Sequence, residues 1–123
     1  MQKPLVLFFY GTLKRGHYNH TRFNSEGIGR FMQEATVRGF SMIQPNGLPY
    51  PMAVHDTSGN IQGELYEVDV LDALAIHRME VGAGYVLTPV ITDDGIRTSM
   101  YVAERSPDGH SKFSYFGLPE IQL

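Results

Sequence analysis

The 123-residue chain has no cysteine. That absence excludes a disulfide framework, a thiolate metal site and a cysteine nucleophile, and it fits a reducing cytosol. Long hydrophobic runs are missing as well. The apolar stretch near the N-terminus, "PLVLFF", is broken too early by Tyr10-Gly11 for a signal peptide or a membrane span, so a soluble, cytoplasmic protein is expected. Neither sign of charge dominates. Ten Lys and Arg stand against thirteen Asp and Glu, for a net charge of −3, and the basic residues are dispersed. There is no electrostatic footprint for nucleic acid, and a small neutral or zwitterionic partner fits better. Repeats and low-complexity linkers are also absent. A chain of this length makes one domain, residues 1–123, which buries roughly two thirds of its unfolded surface.

What is present begins with "VLFFYGTLKRGHYNH", residues 6–20. Val6 to Phe9 form an apolar run of the kind expected of a strand buried on both faces. Gly11 and Gly16 frame a turn with the G-x-x-x-x-G outline of a phosphate loop. A phosphate loop requires Lys and then Ser or Thr directly after the second glycine. His17 and Tyr18 occupy those places, so the outline lacks its chemistry and a plain glycine turn is the simpler reading. His17 and His20 have no evident third metal ligand, and no metal site is expected. Lys14 and Arg15 suit either a substrate carboxylate or a polar loop.

The rest of the chain reads mainly as strands. Residues 20–26 allow about two turns of helix. "FMQEATVRGFSMI", 31–43, predicts a strand bent at Gly39, and a turn follows at Pro45-Asn46-Gly47. Pro49 and Pro51 confine what comes next to an edge or an irregular strand. "NIQGELYEV", 60–68, alternates as a half-buried strand after a Ser58-Gly59 turn. "DVLDALAIHRM", 69–79, is the clearest helix: Asp69 caps it, Leu71, Leu74, Ala75 and Arg78 recur at helical spacing, and it should end near Gly82. Two strands joined by Asp93-Asp94-Gly95 form a hairpin. The aromatic-rich stretch 104–123 reads as a tail packed on the body or a lid. The class expected is α+β, a small, mostly antiparallel mixed β-barrel with short flanking helices.

Glu80 stands out against this background. It falls in the last turn of the helix, where the dipole disfavours a negative charge, and burial there would raise its pKa toward the range useful for proton transfer. A solvated surface glutamate is the bland alternative.

Several stretches, taken in order, resemble the γ-glutamylcyclotransferase-like proteins, including the γ-glutamylamine cyclotransferases of the AIG2-like branch. They are "FFYGTLKRGHYNH", "GLPYPMAV", "IQGELYEVD", "LDALAIHRMEVGAGY" and "SMYVAE". The resemblance implies a mixed barrel with a central substrate cavity. It implies that Tyr10, Gly11, Thr12 and Leu13 bind the γ-glutamyl moiety largely through backbone groups, and that Glu80 is the catalytic acid/base. Tyr85 and Tyr115 are further candidates to line the pocket.

The implied reaction is intramolecular aminolysis of a γ-glutamylamine or γ-glutamyl peptide, releasing 5-oxoproline and a free amine or amino acid, with no cofactor. A monomer or small homo-oligomer is expected. The pattern departs from the family where Val81 follows Glu80 and Leu87 stands two beyond Tyr85, which leaves the pocket rim and the leaving amine open. A non-catalytic binding module for a small γ-glutamyl-like ligand is the other class that fits. Glu80 favours the enzyme.

Overall fold

The computed structural model describes residues 5–10, 29–46, 51–105 and 109–112. Six strands and one helix are found among them: β1 (Leu5–Phe9), β2 (Arg30–Pro45), β3 (Met52–Val68), α1 (Val70–Gly82), β4 (Tyr85–Ile91), β5 (Arg97–Ala103) and β6 (His110–Lys112). They form a single sheet in the order β4-β5-β1-β3-β2-β6. The β1–β5 pairing is parallel and the rest are antiparallel, so the sheet is mixed and the class is α+β.

β1 lies inside the sheet and is buried on both faces, as its apolar run predicts. Leu7 and Phe9 enter the core cluster under α1, with Tyr66, Ile76, Tyr85 and Tyr101. Phe8 and Tyr10 enter the opposite cluster, with Val37, Phe40, Ile61, Leu65 and Met100. The strand is pinned closely to β3, because a Cβ at Gly63 would stand 2.4 Å from the Phe9 carbonyl oxygen. Only glycine allows that approach.

β2 and β3 make a long bent hairpin. Gly39, at φ +92, sits in the bend, as the sequence predicts. Between the pairs Arg38–Asn60 and Phe40–His55, β2 advances two residues and β3 five. The surplus on β3 is folded around Asp56, whose carboxylate accepts from Ser41 Oγ at 2.6 Å and from the Ser58 amide at 3.2 Å. The Ser58-Gly59 turn is therefore an excursion within one strand. The part of β3 that follows Pro51 is irregular, as the prolines predict: Met52–Gly63 has ladder partners on β2 alone, and β1 joins only at Glu64–Val68, where the strand is buried rather than half-buried. Pro51 precedes its first residue and removes no ladder donor, and α1 covers the face that carries Glu64 and Tyr66, leaving both buried.

The expected barrel does not close. No ladder joins the outer strands among the described residues. The tip of the β4–β5 hairpin instead reaches β2 through turn and side-chain bonds: Asp93 N donates to Thr36 O at 2.9 Å, Gln33 Nε2 donates to Asp94 Oδ2 at 2.7 Å, and Arg38 Nε meets Asp93 Oδ1 at 2.9 Å. The sheet curls without becoming continuous.

α1 begins at Asp69, whose carboxylate accepts from the Asp72 amide at 3.0 Å, and it ends at Gly82 as expected. The stripe it buries differs from the one the leucine spacing suggests. Ala73 and Ile76 face the core, with Met79 packed beside them, whereas Leu71 is 78% exposed and Leu74 is exposed too. Helix 20–26 lies outside the described residues. β6 adds the start of the C-terminal stretch to the edge of β2.

Candidate active site

The inward stripe of α1 runs through Ala73 and Ile76, and one turn further along it carries Glu80. Glu80 is half-buried. Among the described residues no hydrogen bond or ion pair reaches its carboxylate. Burial pushes its pKa up from 4.5 to about 7. A carboxylate so placed exists in both protonation states near neutral pH, the condition that suits one group to take a proton and then return it.

Two side chains not singled out from the sequence bear on it, Tyr101 through the charge of Glu80 and His77 through its bond to Tyr101. Tyr101, buried on β5, has its hydroxyl 2.8 Å from Nδ1 of His77, and the two ring centroids are 5.8 Å apart. Burial, reinforced by the charge of Glu80, raises the Tyr101 pKa to about 12, so the phenol stays protonated. The sequence does hold a signal for His77, which precedes Glu80 by three residues and so leaves the same edge of the helix. Tyr101 is one of several strand aromatics, and only the β1–β5 pairing brings it under α1.

Tyr10 directly follows β1. Its hydroxyl donates to the Tyr101 carbonyl at 2.5 Å and accepts from the Ala53 amide at 3.1 Å, which ties β1, β3 and β5 together. The side chain is thus engaged in the scaffold. Tyr85, the first residue of β4, is buried in the same cluster as Tyr101, and its hydroxyl donates to the Pro51 carbonyl at 2.6 Å. Gly11, Thr12, Leu13 and Tyr115 lie outside the described residues, as do Lys14, Arg15, His17 and His20. Val81 and Leu87, where the sequence departs from the family pattern, are both exposed, so those departures change the outer surface and not the buried cluster.

One further buried carboxylate, Glu64, pairs across the ladder with Phe9 and accepts from the Tyr66 hydroxyl at 3.1 Å. Among the described residues, no three His, Asp or Glu side chains gather in a way that could hold a metal ion. No helix among them is long and apolar enough to cross a membrane.

Comparison with known proteins places this geometry. The fold is similar to that of an AIG2-like protein from Mus musculus, at 22% identity and a TM-score of 0.77 over 95% of this chain and 92% of that one. It is similar to an uncharacterized protein from Pyrococcus horikoshii, at 27% identity and a TM-score of 0.71 over 89% and 85%. It also resembles part of Kluyveromyces lactis allophanate hydrolase, at 16% identity and a TM-score of 0.72 over 89% of this chain but 19% of that one. No curated protein matches the chain. The family described as gamma-glutamyl cyclotransferase, AIG2-like, matches residues 7–115. With that match spanning most of the sequence and the mixed sheet and helix agreeing with the fold, the chain belongs to the AIG2-like gamma-glutamyl cyclotransferase family.

Proposed function

We propose that the protein is a γ-glutamyl cyclotransferase that converts a γ-glutamylamine or γ-glutamyl peptide into 5-oxoproline and a free amine or amino acid, with Glu80 as its acid/base. The observation that carries this reading is the Glu80 carboxylate itself, half-buried, without a hydrogen-bond partner among the described residues, and with a pKa of about 7. Family membership supports the reaction class.

In this reading ionised Glu80 takes a proton from the substrate α-ammonium. The freed amine attacks its own γ-carbonyl carbon, and the lactam C–N bond forms as the bond to the leaving nitrogen breaks. Glu80 returns its proton to that nitrogen. Main-chain N–H groups of the Tyr10, Gly11, Thr12, Leu13 loop hold the γ-glutamyl group and the tetrahedral oxyanion, and Tyr85 and Tyr115 line the pocket. Nucleophile and electrophile belong to one molecule, and effective molarities in well-oriented intramolecular reactions reach ~10⁵–10⁸ M. One acid/base group then suffices. The chemistry calls for no metal or cofactor.

The test is a panel of γ-glutamylamines and γ-glutamyl peptides assayed for 5-oxoproline with the wild type and Glu80→Gln. The amide keeps the shape of the side chain but cannot accept the proton. Turnover of a substrate by the wild type and its loss by at least about 100-fold in the variant, with binding retained, is the expected outcome. Near-normal turnover by Glu80→Gln would refute the assignment.

A further inference from the structure

His77 and Glu80 leave one edge of α1, and Tyr101 faces them from β5. The carbonyl of Tyr101 also accepts the Tyr10 hydroxyl, so this residue is joined to the end of β1.

What Tyr101 can do depends on the direction of its 2.8 Å bond to His77. A phenol has one hydrogen to give, whereas imidazole Nδ1 either gives or accepts. The charge of Glu80 reaches Tyr101 and, together with burial, holds the phenol protonated. A carboxylate is a stronger acceptor than a neutral imidazole nitrogen, so the O–H dipole is lower in energy with its hydrogen on the Glu80 side. The bond to His77 is then completed by Nδ1–H.

We propose that His77 donates through Nδ1–H to the Tyr101 hydroxyl oxygen, leaving the phenolic hydrogen beside Glu80 as a donor to the substrate's reacting γ-carbonyl oxygen. This role rests on the cyclotransferase reading. Tyr101 is then a catalytic residue and His77 a positioning residue. As the amine attacks, the carbonyl oxygen gains negative charge, and a neutral donor aimed at it favours the transition state over the ground state. The phenol keeps its proton throughout. Its hydrogen bond tightens as charge develops and relaxes when the lactam carbonyl re-forms.

Two measurements do not need turnover. Nitrogen-15 NMR should show a proton on Nδ1 of His77; a proton on Nε2 with bare Nδ1 would overturn the inference. In Tyr101→Phe, which keeps the ring, the carbon-13 titration midpoint of the Glu80 carboxyl should rise by about half a unit as the carboxylate loses the favourable O–H dipole near it. An unmoved midpoint would overturn it equally. In turnover, Tyr101→Phe should lose about 100-fold in kcat with KM within about twofold. His77→Ala should lose part of that, and His77→Asn, whose amide nitrogen takes the place of Nδ1, should recover most of it. An active wild type with Tyr101→Phe unimpaired refutes the donor and leaves the cyclotransferase standing. A wild type inactive on the whole panel, with both NMR results as expected, refutes the cyclotransferase and leaves the His77–Tyr101 arrangement standing.

Discussion

Glu80 carries an opposition between function and stability within a single side chain. Its folded-state pKa of about 7 lies above the unfolded value of 4.5, so between those values the folded protein binds more protons than the unfolded one. Its contribution to stability is complete below the unfolded value and is lost as pH rises toward and through 7. The ionised form that the proposed reaction needs is thus the form that costs the fold, by at most about 3 kcal/mol at 1.36 kcal/mol per unit. Glu80→Gln removes that cost. Thermal melts should show the variant close to the wild type at pH 5 and more stable than it at pH 8; a difference that does not change with pH would contradict the burial account. The same titration should give kcat/KM of the wild type an acidic limb with a midpoint near 7, since the protonated carboxyl cannot act as base.

At the scale of the element, α1 turns its leucines outward. Leu71 is 78% exposed while Ile76 is fully buried, because the stripe that meets the sheet runs through Ala73 and Ile76 to Glu80. Ile76→Ala should therefore cost about 2–5 kcal/mol, as large-to-small core changes do, and Leu71→Ala about 0.5 kcal/mol or less. Chemical denaturation of the two variants separates these orientations, and the reverse order would mean that the helix is rotated. The length and cap of this helix were legible in Asp69, Asp72 and Gly82, which act locally. Its buried face was not, because Leu71, Leu74 and Arg78 make a stripe at helical spacing as good as the true one, and only the sheet decides between them. β3 was legible in the same local way. Pro49 and Pro51 suggested an edge or an irregular strand, and Met52–Gly63 is irregular, with ladder partners on β2 alone and a break in register at the Asp56 excursion; β1 joins only from Glu64.

At the scale of the whole molecule, the mixed, mostly antiparallel sheet could be anticipated from the β1 run, the Gly39 bend and the Asp93-Asp94-Gly95 hairpin. Closure could not, since it depends on how the hairpin tip meets β2, where Gln33, Arg38, Asp93 and Asp94 make side-chain bonds in place of a ladder. Glu80 was visible from its helix position and from the family pattern. His77 was hinted at only by its spacing from Glu80, and Tyr101 was not visible, because their meeting depends on β5 lying parallel beside β1 beneath α1. The central claim is that this scaffold folds a substrate onto itself so that its own nitrogen, and not water, displaces the amine. Cyclisation keeps the original γ-carbonyl oxygen in the lactam, whereas hydrolysis puts a solvent oxygen into glutamate. Mass analysis of the first product formed by the wild type in ¹⁸O-water is therefore the most direct test: unlabelled 5-oxoproline is the result predicted, and glutamate carrying ¹⁸O in its γ-carboxylate would contradict it.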